Sequence, residues 1–250
     1  MNQHFRQRLK AGERLIGTLI TLSSPETAEV LAAAGFDWLF LDNEHSPMEA
    51  PQLQAVSRAA GSLPCVVRVS HRAEVPIKKA LDIGAAGIIA PMVNSAEQAA
   101  QVVSWARYAP LGARGVGLGR AHGYGLKFQE YVSSANEAVA VIVQCEHIDA
   151  VNDIDAIVCV PGVDAVLVGP YDLSASLGRL GEVTHPDVVA AIDRVTAACH
   201  AARVPLGIFG LSAPAVEPYI ERGYTLIVVG VDTVLLGTAA RDLLAQVKGA

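Results

Sequence analysis

The stretch KKALDIGAAGIIAPMV, residues 78–93, decides how the chain is read. It passes from a charged helical segment through Asp82-Ile83-Gly84 into the apolar run 87–91. Glycine just past a helix is a common left-handed stop. An unbroken apolar run suits a strand buried on both faces of a parallel sheet. The same junction returns as Ala34-Gly35-Phe36-Asp37 and as Arg222-Gly223-Tyr224-Thr225, each just ahead of another apolar run. A helix, a glycine and a strand in that order is the αβ connection of a βα repeat.

Working outward, strands are expected over 16–21, 38–42, 65–69, 87–91, 139–145, 165–169, 205–209 and 226–230. Helix starts stand between them. Ser24-Pro25-Glu26 offers a cap, a first-turn proline and a carboxylate at the positive dipole end. Asn94 with Glu97 resembles a capping box, and Pro186 opens the run 187–202. Eight βα units in 250 residues predict a single-domain (β/α)8 TIM barrel over residues 1–250. An open doubly wound sheet would want G-x-G-x-x-G after its first strand, and 18–24 has none. The excursion 112–131, with GVGLG at 115–119, reads as a flexible active-site loop. Arg120, His122 and Tyr124 on it face either the barrel mouth or plain solvent. Trp105 and Tyr108, at helical spacing, read as packing residues.

Composition narrows the function classes. Hydrophobic residues make up 52% and charged residues 18%, enough for a sizeable core and too apolar for disorder. Nineteen Lys+Arg against 25 Asp+Glu give a net charge of −6, the wrong sign for a nucleic-acid binder. The longest uncharged apolar run, 83–93, falls short of the roughly 18 residues a membrane span needs. The N-terminal stretch MNQHFRQRLKAGERL has basic residues but no apolar centre, so no signal peptide is expected. Cysteines 65, 145, 159 and 199 form no C-x-x-C pair and point to a reduced, cytoplasmic setting.

On such a barrel the chemistry belongs at the C-terminal strand ends. Asp42-Asn43-Glu44-His45 follows the second strand, Arg68 ends the third, Gln144-Cys145-Glu146 ends the fifth, and Gly169-Pro170-Tyr171-Asp172 follows the sixth. Glu146 and Asp172 are candidate ligands for Mg²⁺ or Mn²⁺, which take one or two carboxylates and leave positions to water or substrate. Asp172 could equally only cap a turn. Arg68, after Val66-Val67, must meet an anion, either substrate or a structural carboxylate. His45 is a candidate base oriented by Asp42 or Glu44, or an incidental loop histidine. Gln144 can donate into the same mouth. The five lysines, at 10, 78, 79, 127 and 248, avoid every expected strand, which excludes a strand-end Schiff base.

At these residues the chain resembles the metal-dependent, class II pyruvate aldolases, which include 4-hydroxy-2-oxo-heptanedioate and 2-dehydro-3-deoxyglucarate aldolases. The resemblance rests on LDNEHSP, VVRV, KKALDIGAAGIIAPMV, RGVGLGRA, VQCEH, GVDAVLVGPYDLSASLG and VVGVDTVLLGTAA, which span residues 38–240. It implies cleavage of 4-hydroxy-2-oxo acids to pyruvate and an aldehyde. Glu146 and Asp172 would hold Mg²⁺, Mn²⁺ or Co²⁺. Gln144 and the amides of Tyr171 and Asp172 would contact pyruvate. Arg68 would stabilise the enolate charge, and His45 would move the proton, with Asp82 supporting its basicity and Asp42 orienting it. It also implies hexamers whose last helix, within 233–247, is exchanged between subunits. Asn43 and Tyr171 stand where the family has smaller residues, which leaves the aldehyde open. A 2-oxo-acid decarboxylase, a C–C forming synthase and a non-catalytic 2-oxo-acid binder are the other readings.

Overall fold

The computed structural model describes residues 5–249, so the first four residues of the N-terminal stretch lie outside the described residues. The elements follow in order: α1 (Phe5–Lys10), β1 (Leu15–Ile20), α2 (Pro25–Ala33), β2 (Trp38–Asp42), α3 (Ala50–Ala59), β3 (Cys65–Arg68), α4 (Glu74–Asp82), β4 (Gly87–Ala90) and α5 (Ala96–Ala106). A 3₁₀ segment (Arg120–Gly125) precedes α6 (Phe128–Ala138), β5 (Ala140–Cys145), α7 (Ile148–Asn152), α8 (Ile154–Val158), β6 (Ala165–Val168) and α9 (Pro170–Ser176). Then come α10 (Pro186–Ala202), β7 (Leu206–Gly210), α11 (Ala213–Glu221), β8 (Leu226–Val231) and α12 (Asp232–Lys248). Each strand pairs in parallel with the next, and β8 closes on β1. The chain is the expected (β/α)8 barrel.

The three glycines that end helices in the sequence do so in space. Gly35, Gly84 and Gly223 have φ of 93°, 92° and 86°, where other residues are strained. One cap moves by a residue. Ser95, not Asn94, caps α5, its hydroxyl accepting from Gln98 N at 3.2 Å, while Asn94 N donates to the Gln98 side chain at 2.7 Å.

Two apolar layers hold the barrel. Trp38, Phe40, Val66, Ile142 and Leu167 fill the interior, and a larger layer packs between strands and helices. Gly17 is required there, since a Cβ would lie 2.5 Å from the Trp38 ring. α1 covers the N-terminal rim with Phe5 and Leu9, and its Arg6 meets buried Asp164 at 2.8 Å, which also holds Arg107 at 3.1 Å. Trp105 and Tyr108 are packing residues, as expected. All four cysteines are free, with three buried. No helix among the described residues is long and apolar enough to cross a membrane.

The excursion 112–131 is not where the sequence reading put it. α5 runs back from the mouth, so the excursion lies at the N-terminal rim. Arg120 Nη1 donates to Ile83 O at 2.7 Å, ahead of β4, and His122 is fully buried beside the Tyr108 hydroxyl at 2.9 Å. Tyr124 is exposed at that rim. None of the three faces the mouth of its own chain. At the other extreme, α12 leaves Leu235, Leu236, Leu243, Leu244 and Val247 exposed.

Candidate active site

The mouth is built from strand register outward. Asp42 and Arg68 are direct partners in the β2–β3 ladder, so their side chains leave on the same face. Arg68 Nε donates to Asp42 Oδ1 at 2.8 Å and Nη2 to Oδ2 at 2.7 Å. The guanidinium also lies 5.3 Å from the Phe40 ring centre. Burial works against its charge, yet the bonds and charge of Asp42, with Glu44 and Glu146 behind, hold its pKa above the ordinary value. Of the two partners the sequence left open for Arg68, the single chain supplies the structural carboxylate. Asp42 therefore orients Arg68, and the expectation that it orients His45 is not met.

The turn after β2 is tied to itself. Ser46 Oγ donates to Asp42 O, Asn43 Nδ2 to Met48 O, and Asp42 Oδ1 accepts from Glu44 N at 3.0 Å. This turns the Glu44 carboxylate inward, with Oε2 3.3 Å from Arg68 Nε and 3.6 Å from His45 Nε2. The approach to Arg68 is an ion pair without hydrogen-bond alignment, since Glu44 Oε2 is buried with no hydrogen-bond partner among the described residues. His45 itself is two-thirds exposed at the lip of the mouth. Asp82 is elsewhere. It ends α4 at the N-terminal rim, where Oδ1 accepts from Arg114 Nη2 at 2.7 Å. The expected Asp82 support for His45 is absent within one chain, because a residue ending a helix lies at the rim opposite the strand ends.

Glu146, just past β5, is 4% exposed. Its Oε1 accepts from Met92 N at 2.7 Å, and its Oε2 accepts from Gln144 Nε2. Burial pushes its carboxyl up to about 7, and the carboxylates of Glu44 and Asp172 add to that, against the lowering by Met92 N–H and Gln144. Glu44 is raised too, first by burial and then, against the lowering by Arg68, by Asp42 and Asp172. Asp172 sits in the first turn of α9. Gly169 makes this approach feasible, since a Cβ there would stand 3.0 Å from Glu146 Cβ and 3.3 Å from its Oε2. Tyr171 is exposed, and a Cβ on Gly181 would meet its hydroxyl at 3.4 Å, so the hydroxyl leans toward the 178–181 turn.

The carboxylates of Glu44 and Asp172 act on Glu146 through their charge, and Gln144 Oε1 and Glu44 Oε2 are buried without hydrogen-bond partners among the described residues. An all-oxygen set short of positive charge fits a hard divalent cation. Among the described residues no three of His, Cys, Asp and Glu stand close enough to cage an ion. Glu44 is the acidic residue the sequence reading undervalued. Its signal was its place two residues past Asp42, in the turn after β2. Met92 gave no signal, because it acts through its backbone.

A family model described as HpcH/HpaI aldolase/citrate lyase matches residues 15–239. The chain is 40% identical over 242 residues to the hydroxypyruvate/pyruvate aldolase of Chromohalobacter salexigens, covering 95% of each. It is 40% identical over 250 residues to the 4-hydroxy-2-oxo-heptane-1,7-dioate aldolase of Salmonella paratyphi C, covering 98% of this chain and 95% of that one. A crystal structure of an HpcH/HpaI aldolase/citrate lyase family protein from Burkholderia cenocepacia superposes with a TM-score of 0.95 at 40% identity, covering 99% and 100% of the two chains.

Proposed function

The chain belongs to the HpcH/HpaI aldolase/citrate lyase family, and from that premise we propose that it is a carbon–carbon lyase cleaving 4-hydroxy-2-oxo acids to pyruvate and an aldehyde. The observation that carries this reading is the meeting of Arg68, Glu146 and the Asp172 carboxylate at one mouth, with oxygen donors left unsatisfied. Glu146 and Asp172 would hold a divalent ion of the Mg²⁺, Mn²⁺ or Co²⁺ kind, in a family that is generally divalent-metal dependent. When bound, such an ion supplies Lewis-acid polarisation of the substrate's 2-oxo group.

The chain's own residues do the rest. The amides of Tyr171 and Asp172, in the first turn of α9, receive the substrate carboxylate. Gln144 orients the 2-oxo acid by a neutral contact. His45, at the lip and within reach of Glu44, takes the proton from the C4 hydroxyl. The C3–C4 bond then breaks, its electron pair moves toward C3 and the 2-oxo oxygen, and the aldehyde leaves. Arg68, fixed by Asp42, faces the developing negative charge, and preorganised charge of this kind costs no reorganisation at the moment of reaction. A proton delivered to C3 completes pyruvate.

The exposed apolar residues of α12 support a further part of this reading. A second copy covers them by exchanging the helix, in a hexamer. Free cysteines and the lack of a membrane-crossing helix among the described residues support a cytoplasmic place. The test is a panel of 4-hydroxy-2-oxo acids and, in reverse, of aldehydes with pyruvate, scored by kcat/KM. Pyruvate release from at least one of them is expected. Decarboxylation of oxaloacetate with no aldol cleavage anywhere in the panel would replace this reading with the decarboxylase one.

A further inference from the structure

Met92 is an apolar residue just past β4, and it stands with φ at 53°, in the left-handed region that an L side chain adopts only when its surroundings hold it there. Both faces of its backbone are engaged. Its N–H donates to Glu146 Oε1 at 2.7 Å, and its carbonyl accepts from Arg72 Nη1. Arg72 comes from the turn after β3, beside β4 in the sheet, and forms no ion pair among the described residues. Its guanidinium donates instead to the Met92 carbonyl.

We propose that Met92 and Arg72 are positioning residues for Glu146. The left-handed backbone sends the Met92 amide toward the mouth and its carbonyl toward Arg72, and Arg72 locks that orientation from outside. Together with Gln144 on Oε2, the Met92 amide fixes both carboxylate oxygens in direction, so the lone pairs that remain face one place. A residue restricted to negative φ would turn one of the two peptide planes off its partner. Partners behind a metal-binding carboxylate commonly change ion affinity by roughly tenfold to a hundredfold. This inference rests on Glu146 being an ion ligand, as proposed above.

The test is Mn²⁺ binding to the substrate-free protein, read by the electron paramagnetic resonance of free Mn²⁺, with melting temperature as the check on folding. Met92→Gly keeps the left-handed backbone without strain and should bind within about threefold of the unmodified protein. Met92→Val, β-branched and averse to positive φ, should bind roughly tenfold more weakly or worse. A packing role for the methionine side chain predicts the reverse order, because glycine removes more of it than valine, and that order would overturn the proposal. Arg72→Ala should weaken binding by roughly tenfold, with partial recovery in Arg72→Lys. Arg72 is half-buried in a turn, so this pair still decides the matter if Met92→Val does not fold. Unmodified affinity in Arg72→Ala would remove Arg72 from the device. No Mn²⁺ binding by the unmodified protein would sink the ion site and this inference together, whereas intact binding that ignores all four substitutions would sink the positioning role alone.

Discussion

Asp42 grips Arg68 through two near-parallel bonds, at 2.8 and 2.7 Å, at a point where their strands are direct ladder partners. The fork-on-carboxylate geometry leaves the guanidinium little freedom, and Asp42 is only 1% exposed. Its charge is therefore aimed before substrate arrives. Arg68→Ala should lower kcat by roughly 10²-fold or more while pyruvate binding changes far less, since the charge it meets exists mainly in the transition state. Pyruvate C3 proton exchange should fall alongside. Wild-type exchange in Arg68→Ala would remove it from the chemistry. Asp42→Ala should lower kcat as well and cost about 3 kcal/mol of stability, because it strands a buried charge. Denaturant titration measures the second effect.

Glu146 makes the metal-free protein sensitive to pH. Its folded pKa of about 7 lies above the ordinary 4.5, so the folded state holds a proton that the unfolded state has lost between those values. The contribution of Glu146 to stability should therefore be full below about pH 4.5, fall as pH rises through 7, and level off above it. The difference is at most about 3 kcal/mol. Saturating Mg²⁺ should restore stability at pH 7.5, and Glu146→Gln should flatten the metal-free dependence. A melting temperature of the chelated protein that does not fall between pH 5 and 7.5 would contradict this account of the carboxylate cluster.

What the sequence disclosed depended on whether the signal was local. All eight strands lie within one or two residues of expectation, because buried parallel strands announce themselves as apolar runs. The polar residues at strand ends were legible for the same reason, as breaks in those runs. Partnerships across the barrel were not. Asp42 finds Arg68 through β2–β3 register, 26 residues apart. Arg6 finds Asp164 across 158 residues. Within one chain Asp82 and the 112–131 excursion stand at the rim opposite the mouth, because a helix after a strand returns the chain to that rim. The glycines and length that drew attention to the excursion carry no information about which rim it occupies.

The apolar side of α12 gives a test of assembly. Leu236 and Leu243 are 66% and 63% exposed in the single chain. If nothing covers them, Leu236→Asp and Leu243→Asp are surface changes within about 0.5 kcal/mol. If a second copy covers them, each charge is forced into an apolar interface and should split the assembly. Light scattering after size exclusion should show a smaller species for the double variant, with the barrel's circular dichroism retained. An unchanged mass would end the exchanged-helix reading.

The remaining prediction is chemical: activity depends on a divalent ion and forms no imine. Among the described residues no lysine stands on a strand or at its C-terminal end. Lys10 and Lys248 close terminal helices, Lys78 and Lys79 lie within α4, and Lys127 precedes α6 at the N-terminal rim. Lys78 is further engaged with Glu74 at 3.0 Å. No amine is placed to condense with a 2-oxo group at the mouth, whereas carboxylates gather there without enough positive charge to balance them. Chelation with EDTA should abolish turnover, and Mg²⁺, Mn²⁺ or Co²⁺ should restore it. Borohydride added with pyruvate should neither inactivate the enzyme nor leave a covalent adduct. Glu146→Ala and Asp172→Ala should each lose activity together with Mn²⁺ affinity, while Lys79→Ala, within α4, should keep both. Full turnover after exhaustive chelation, or a pyruvyl-lysine adduct by mass spectrometry, would overturn this chemistry and leave the barrel standing without it.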